Sequence, residues 1–495
     1  MAGRLRERLQ PPAVGLTIVV LLAVAHAATH AVIRPLYQVS DEVVYLSTVQ
    51  AAAIAAAGAG GPLHCLAPPA GEFPRLAAST KPGFLIATSL QLRTLCHMGI
   101  GEASLVWLRV LQSVSLGVVA ACAWAVARLL TGRAWDAFLA GLIVAAHPVA
   151  ATHAGAVTPD AWANAFSALA LLFGTRLLLN RGGAGDMPLL VGSVVAAYAW
   201  KDSTGFLLAL PVLVLALRAP GSSSIGAGWR RFAILGATSA IVVAAALFWF
   251  RTPYLAMAGT TERLTPASFG RAVLEDLLPQ LGSLVASSWT ALGNFGASHL
   301  SASATAAAIG VLLLALGIVG GCRRLARAAG PTSAVLLLAW AACAALCIVQ
   351  PSVRQVLLGT QDVHQGRWLL PMLVPAAALL AWGLNGLSRT PGRGVLLCSV
   401  ALLTAAWLGV LETVRFFWDA YPADLREPAL YIRGTGGAVL DDTLILGVIR
   451  HAAAALPGAV PALSLTILTL LSAACCAFSF SDTAHPPKRL PCPPR

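Results

Sequence analysis

Residues Pro12–Tyr45, PAVGLTIVVLLAVAHAATHAVIRPLYQVSDEVVY, predict that this chain crosses a membrane. Residues 12–33 contain no Asp, Glu, Lys or Arg and are long enough to cross a ~30 Å hydrocarbon layer as an α-helix. An acidic pair, Asp41 and Glu42, follows a few residues later. Carboxylates held where a membrane meets water are costly to place and useful in proton transfer. The pair is therefore the first candidate for a functional site.

The composition extends this prediction to the whole chain. Of 495 residues, 58% are hydrophobic and 11% are charged, and the mean hydropathy of +0.78 exceeds what a water-soluble core requires. We predict an all-α polytopic membrane protein without a sizeable soluble domain. Apolar stretches of about 17–25 residues give about twelve spanning helices: 12–33, 104–130, 134–151, 158–179, 187–201, 203–218, 231–250, 303–321, 333–350, 367–387, 394–415 and 458–480.

A further apolar run, Phe84–Met98, is short and contains Gln91 and Arg93, so we predict an amphipathic helix in the membrane interface. If this run does not cross, the loops on the side of the termini collect 18 of the 33 Lys and Arg residues but only 4 of the 20 acidic residues. Short loops rich in Arg lie in the cytoplasm. We therefore predict that both termini are cytoplasmic and that the acidic pair is extracytoplasmic.

The same topology divides the chain into segments. The first outer loop is long for a connection between two spans, which usually indicates a functional role, and a stretch near the C-terminus has no recognisable motif. The predicted segments are a membrane module 1–416 with outer loops 34–103 and 251–300, an outer loop 417–456 of unknown role, a last spanning helix 457–480 and a cytoplasmic tail 481–495.

The net charge of +13 reflects this topology rather than nucleic-acid binding, because the basic residues are scattered and form no patch with interleaved aromatic residues. The ten cysteines show no metal-finger or redox spacing. Cys65 and Cys96 both fall in the first outer loop, and the sequence leaves open whether they form a disulfide. Heavy use of Ala, Gly and Arg with few Lys is typical of a GC-rich bacterium, so we predict a bacterial plasma (inner) membrane protein.

The first outer loop contains the segment STKPGF, Ser79–Phe84, and Lys81 is one of only three lysines in the chain. A Lys point charge at the start of an interfacial helix suits a phosphate group. It suits equally well a membrane anchor whose alkyl stem lies in the lipid. The residues alone leave both interpretations open.

A third acidic position lies in HPVAATHAGAVTPDAWAN, His147–Asn164. Asp160 follows Thr158 and Pro159 and is predicted in the first turn of a helix, where a carboxylate complements the helix dipole. That capping role is a sufficient structural explanation by itself. His147 and His153 lack the spacing of metal ligands and are predicted to be hydrogen-bonded polar residues.

Two further segments lie at predicted outer ends of helices. YAWKDSTGF, Tyr198–Phe206, holds Lys201 beside Asp202, and a solvated ion pair between these neighbours would contribute little. HQGRWLLP, His364–Pro371, places Gln365 and Arg367 at the mouth of a span. A guanidinium there can hold a phosphate through two parallel hydrogen bonds.

Taken in order, these segments resemble the GT-C superfamily of integral-membrane glycosyltransferases. The matching features are a DE pair after the first span, KP before an interfacial segment, PD after HP, a K-x-x-x-G turn and QGR before an aromatic residue, over about residues 34–387. The pattern is most similar to DUF2142-type members, relatives of protein mannosyltransferases and of the aminoarabinose transferase. The chain departs from the family at Gly83, where relatives often have Pro, at Trp368, where they have Tyr, and at Thr80, where some have an acid.

The resemblance implies a hexosyl- or pentosyltransferase that takes a sugar from a polyprenyl-phosphate donor and transfers it to a glycan, lipid or protein acceptor of the cell envelope. It implies that Asp41 is the general base for an acceptor hydroxyl, that Glu42 orients the acceptor or Asp41, and that Asp160 shapes the sugar or acceptor pocket. Single displacement implies inversion at the anomeric carbon. The residues implied to bind the donor phosphate are Lys81, Lys201, Gln365 and Arg367.

No cofactor is required by this scheme, because Lys and Arg can stabilise the departing phosphate, although the outer acids leave a divalent cation open. The alternative from another class is a transporter or a flippase for lipid-linked sugars, in which no bond is made. Such proteins tend to have broken helices and ionisable residues near the bilayer midplane. An inactive scaffold of an envelope complex is a second alternative.

Overall fold

A computed structural model of the chain describes residues 11–34, 42–57, 80–99, 104–217, 266–295, 298–301, 304–328, 331–358, 366–387, 391–414 and 459–481. The α-helices, in chain order, are α1 (Pro11–Ile33), α2 (Glu42–Ala57), α3 (Pro82–His97), α4 (Ser104–Thr131), α5 (Ala134–Ala145), α6 (Pro148–Ala154), α7 (Asp160–Leu178), α8 (Asp186–Trp200), α9 (Ala209–Leu217), α10 (Pro266–Arg271), α11 (Leu278–Thr290), α12 (Ala304–Ala328), α13 (Pro331–Leu358), α14 (Leu373–Leu387), α15 (Pro391–Val414) and α16 (Ala459–Ser481). Short 3-10 helices, Asp202–Leu208 and Gly366–Met372, lead into α9 and α14, and a π-helical turn, Ala272–Leu277, joins α10 to α11.

The described helices include several that can cross a membrane. Six stretches are long and apolar enough, and the pair α5–α6 makes a seventh if it is counted as one bent span. The six are Ala13–Ile33, Ser104–Thr131, Asp160–Leu178, Ala304–Arg324, Arg367–Leu387 and Gly394–Val414. Of the stretches predicted to span, 231–250 lies outside the described residues, and every other one is helical. The chain is a helical, multi-pass membrane protein.

The predicted span 134–151 is a bent pair of helices. The chain breaks between α5 and α6, and the two helices bend by 60°. Pro148 has no N–H group and disfavours helical backbone at the preceding residue, and His147 is extended, with φ −72° and ψ 111°. Two histidines compensate for the break, since His147 Nδ1 accepts the Ala150 N–H at 3.2 Å and His26 Nδ1 lies 2.8 Å from the Ala145 carbonyl oxygen.

The described residues also contain a small amount of strand, which the prediction of an all-α protein did not include. β1 (Ala291–Phe295) and β2 (Ser298–Ser301) pair as an antiparallel hairpin inside the segment predicted as an outer loop. Backbone groups in a connection need hydrogen-bond partners, and a hairpin supplies them within a short segment. The hairpin contacts α6 and α15.

The helices that concern the functional site pack through small residues. α1 lies along α4, α7 lies along α8, and α3 contacts α2, α4 and α8. Gly155, directly after α6, is one position where only glycine fits, because a Cβ atom there would lie 2.4 Å from the Ala27 carbonyl oxygen of α1. This close approach fixes the short connection that leads into α7. The amphipathic helix predicted over 84–98 exists as α3, which buries Phe84 and Leu92 and exposes Ile86.

Candidate functional site

A group of buried charges lies where α3, α7, α8 and the 3-10 helix Gly366–Met372 approach one another. Four of its members are residues that the sequence predicts at the site, and the fifth, Asp202, is not. None of the five side chains is more than 18% exposed. We call this group the charge cluster, and its members are Lys81, Asp160, Lys201, Asp202 and Arg367.

Asp160 lies at the centre of the charge cluster. It begins α7, its Oδ1 forms an ion pair with Lys201 Nζ, and its Oδ2 lies 4.0 Å from Arg367 Nη1. The helix dipole accounts for a carboxylate in the first turn. It does not account for two cations that converge on that carboxylate from distant parts of the sequence. The tertiary structure therefore gives Asp160 a role in addition to capping.

Lys81 and Asp202 form the second ion pair of the cluster. Lys81 Nζ lies 2.5 Å from Asp202 Oδ1 and 4.7 Å from the centre of the Tyr198 ring. The sequence suggested a local pair between the neighbours Lys201 and Asp202. The structure instead pairs each of them with a distant residue, Lys201 with Asp160 and Asp202 with Lys81. The Lys81–Asp202 pair is buried and the Lys201–Asp160 pair is largely buried, so the weak, solvated interaction expected from the sequence does not apply.

Gln350 of α13 holds the backbone that carries this part of the cluster. Its Nε2 donates to the Asp202 carbonyl oxygen at 2.9 Å, and its Oε1 accepts the Phe206 N–H at 3.2 Å. The two bonds hold residues 202 and 206 of the 3-10 helix Asp202–Leu208. Gln350 belongs to none of the sequence motifs above, although an amide side chain inside an apolar span is a signal of a buried polar contact.

Glu42 is completely buried and does not face the charge cluster. Arg109 Nε donates to its Oε1 at 2.7 Å, Arg109 Nη2 donates to its Oε2, and the Val157 N–H donates to its Oε1 at 2.9 Å. These contacts join the start of α2 to α4 and to the connection that precedes α7. The carboxylate is enclosed by protein on every side.

Arg109 joins several segments at this end of the molecule. Besides binding Glu42, its Nη1 donates to the carbonyl oxygens of Ala31 at 3.2 Å and Arg34 at 2.7 Å. It thereby connects α4 to the end of α1 and the start of α2. Arg109 belongs to none of the sequence motifs above, although a charged residue inside the apolar run SLVWLRV, Ser104–Val110, is a signal of a buried polar contact.

Arg34 is a further buried cation at the end of α1. Its Nη2 donates to Thr152 Oγ1 at 3.0 Å and lies 3.5 Å from Thr413 Oγ1. Burial and the nearby Arg109 cation lower the pKa of Arg34, and Glu42 raises it, with a net value of about 9. Arg34 is therefore still protonated at neutral pH and adds positive potential to this region.

Some predicted residues cannot be placed. Asp41, Gln365 and Cys65 lie outside the described residues. Cys96, at the end of α3, is disulfide-bonded. The described cysteines that form no disulfide are Cys122, Cys322, Cys343, Cys347, Cys398, Cys475 and Cys476.

A second set of buried acids lies at the opposite end of the helices. Asp136, in the first turn of α5, accepts a hydrogen bond from Asn385 Nδ2 and lies 3.7 Å from Arg324 Nη1. Asp186, in the first turn of α8, accepts the Gly183 N–H at 2.5 Å and lies 3.2 Å from Arg176 Nε. Each of these acids has one arginine and one neutral donor. None belongs to a predicted catalytic motif.

The chemistry available to the charge cluster is the binding of an anion. Among the described residues, the cluster joins three cations and two carboxylates, and two of the cations, Lys201 and Arg367, converge on Asp160. Lys and Arg are the side chains that bind phosphate, as a point charge and as a planar fork respectively. Within the described ranges, no group of three or more His, Cys, Asp and Glu side chains is arranged to hold a metal ion.

No protein-family model matches the sequence, and no characterised protein matches it either. Solved structures are similar in fold: ArnT from Cupriavidus metallidurans bound to undecaprenyl phosphate is 16% identical, with a TM-score of 0.47 over 94% of this chain and 77% of that chain. The archaeal oligosaccharyltransferase AglB from Archaeoglobus fulgidus, with an inhibitory peptide and a dolichol-phosphate, is 14% identical, with a TM-score of 0.46 over 81% of this chain and 56% of that chain. The same oligosaccharyltransferase with Zn and sulfate is 12% identical, with a TM-score of 0.43 over 82% and 52%.

Proposed function

We propose that this chain is a GT-C membrane glycosyltransferase, of the DUF2142-like type, that transfers a hexosyl or pentosyl group from a polyprenyl-phosphate donor to a cell-envelope acceptor. The observation that carries the proposal is the charge cluster. It joins Lys81, Lys201 and Arg367, which come from three separate sequence motifs, around two buried carboxylates. A largely buried group of three cations at the end of membrane helices suits the phosphate of a lipid, whose chain lies in the bilayer.

In the proposed reaction the acceptor hydroxyl loses its proton to Asp41 as its oxygen attacks the anomeric carbon of the sugar. The bond from that carbon to the phosphate oxygen breaks, and the polyprenyl phosphate leaves with the bonding electrons. Lys81, Lys201 and Arg367 stabilise the negative charge on the leaving phosphate. Attack from the face opposite the leaving group inverts the anomeric configuration.

Asp160 and Glu42 then have different roles. Asp160 contacts two of the proposed phosphate ligands, so it orients Lys201 and Arg367 and lies beside the reacting sugar. Glu42 binds the Val157 N–H, three residues before Asp160, and directly follows Asp41 in sequence. We therefore assign Glu42 to positioning both acids through the backbone. Gln365, next to Gly366, is proposed as a further phosphate ligand.

The proposed topology places the charge cluster on the extracytoplasmic face of a bacterial plasma membrane, with about twelve spans and both termini in the cytoplasm. The disulfide at Cys96 supports this orientation, because disulfides persist in oxidising compartments and the cytoplasm keeps thiols reduced. The long outer loops 34–103 and 251–300 would then flank the site, within the catalytic module 1–416.

One observation favours the alternative of a transporter or flippase for lipid-linked sugars. The bend of 60° between α5 and α6 is a broken helix, a feature that transporters commonly use. The same charge cluster could then recognise a phosphate without cleaving the bond to the sugar. The two candidates differ in whether free polyprenyl phosphate is released.

The test is a release assay with purified full-length protein in detergent, supplied with polyprenyl-phosphate sugars and a cell-envelope extract. We expect the wild type to release free polyprenyl phosphate and Asp41→Asn to lose this activity by about 10²–10⁴-fold. Asp186→Asn, at the opposite end of α8, is the matched control and should release it at the wild-type rate. Absence of release from folded wild-type protein with every donor would contradict the proposal and support transport.

A further inference from the structure

We infer that Asp202 stands in for the donor phosphate: its carboxylate binds Lys81 while no donor is bound, and releases Lys81 when a phosphate arrives. The inference rests on the proposed function, because it takes Lys81 as a phosphate ligand. Asp202 acts through Lys81 and is therefore a positioning residue.

The first step is that the buried ammonium group of Lys81 needs a nearby negative charge while no donor is bound. Its side chain is 7% exposed and that of Asp202 is 9% exposed, with 2.5 Å between Nζ and Oδ1. A buried ammonium group without an anion is costly, since desolvation is no longer offset by attraction. The Tyr198 ring, 4.7 Å from Nζ, offsets only part of that cost. Asp202 supplies the compensating charge inside the folded protein.

The second step is that Asp202 stays in place when Lys81 turns to a phosphate. Gln350 Nε2 holds the Asp202 carbonyl oxygen at 2.9 Å, so the backbone at this position is anchored to α13. The carboxylate therefore remains close to the incoming phosphate and repels it. Asp202 thus weakens phosphate binding twice, by competing for Lys81 and by like-charge repulsion. The consequence is faster release of the phosphate product.

The third step is that only the Lys81 side chain has to move. At Gly83, two residues on, a Cβ atom would lie 2.7 Å from the Ala199 carbonyl oxygen, so the start of α3 lies directly against the end of α8. Phe84 and Trp200 make an edge-to-face contact across the same seam, with ring centres 6.4 Å apart. The backbone is thereby fixed. The flexible four-carbon stem of Lys81 moves its ammonium group from Asp202 to the phosphate.

The experiment is calorimetric titration of farnesyl phosphate, a soluble polyprenyl phosphate, into the full-length protein in detergent. We expect Asp202→Asn to bind it about tenfold more tightly than the wild type, the effect of one charge-assisted interaction. Lys81→Gln should weaken binding, and in the Lys81→Gln background the Asn substitution should give no gain, because the two residues act as a pair. Asp202→Glu keeps the charge and should retain wild-type affinity. A merely structural role for Asp202 would predict weaker binding in the Asn variant.

The outcomes separate this inference from the proposed function. If Lys81→Gln weakens binding and Asp202→Asn brings no gain, the stand-in role is wrong and the phosphate site remains. A gain that persists in the Lys81→Gln background also overturns the inference. Failure of farnesyl phosphate to bind the wild type overturns the phosphate site and this inference together. Asp202→Ser repeats the test if the Asn variant does not fold, and Asp186→Asn is the control, expected to match the wild type.

Discussion

The two ends of the helical bundle carry buried charges in different ways. α7 and α8 each have one end at the charge cluster, at Asp160 and Trp200, and the other at the Arg176–Asp186 pair. At the cluster, three cations share two carboxylates. At the opposite end, Asp136 and Asp186 each have one arginine and one neutral hydrogen-bond donor. Among the described residues, two cations therefore converge on one carboxylate, Asp160, at one end, whereas Asp136 and Asp186 at the other end each form one ion pair.

This difference gives a criterion for distinguishing a structural ion pair from a binding site in this protein. An acid in the first turn of a helix that pairs with one arginine satisfies the helix dipole and its own desolvation, and nothing further is needed to explain it. Two cations that converge on one carboxylate, as at Asp160, are more than that carboxylate needs and suit the binding of an anion. Burial alone does not distinguish the two ends, since acids at both ends are less than 10% exposed.

The largest expected effect comes from the buried pair beside the cluster. Arg109→Met would leave the fully buried Glu42 without its guanidinium and should lower the free energy of unfolding by about 3–5 kcal/mol. Thermal and denaturant unfolding in detergent measure the change. Arg324→Met at the opposite end, where the arginine is 18% exposed, should cost much less. Equal losses would contradict the distinction between the two ends.

The next effect concerns activity. Lys201→Met removes one of the cations proposed to stabilise the leaving phosphate and should slow release of polyprenyl phosphate by about 10²–10³-fold. Arg176→Met, near the far end of α7, is the matched control and should keep the rate within about twofold, because its partner Asp186 retains the Gly183 N–H. The measurement is the initial rate of release from donor-saturated enzyme. A similar loss in both variants would mean that the cluster has no special role.

A smaller effect tests the close contact between Gly155 and α1, which positions the start of α7. Gly155→Ala places a Cβ atom 2.4 Å from the Ala27 carbonyl oxygen and should destabilise the protein by about 1–3 kcal/mol by forcing α1 away from the connection before Asp160. Gly192→Ala has no heavy atom within 4 Å and lies inside α8, so it should be neutral or stabilising by about 0.5–1 kcal/mol. Unfolding midpoints of the two variants make the comparison. A stable Gly155→Ala variant would show that the contact yields easily.

The smallest expected effect is that of metal removal. In the proposed scheme Lys81, Lys201 and Arg367 stabilise the leaving phosphate, so treatment with a chelator should leave the release rate within about twofold of the untreated enzyme. Restoration of a lost rate by Mg²⁺ or Mn²⁺ would instead assign a divalent cation to the outer acids.

Much of the site was predictable because its residues are chemically unusual in an apolar chain. Lys81 and Lys201 are two of only three lysines, and both lie in the charge cluster. Asp160 and Arg367 follow from motifs at helix ends. The sequence suggests that Asp202 pairs with Lys201, because the two residues are adjacent. The structure pairs Asp202 with Lys81 instead. Arg109 and Gln350 were missed, since their partners are 67 and 148 residues away.

The sequence by itself determined which segments are apolar helices and that the charges lie near their ends, because both depend on local composition and on the thickness of a bilayer. Only the tertiary structure decided which acid meets which cation. Lys201 reaches Asp160 across 41 residues of sequence and Asp202 meets Lys81, the residue directly before α3, although Lys201 and Asp202 are neighbours. Helix packing sets these distances, and in a medium of low dielectric constant a difference of a few ångströms decides which ion pair forms.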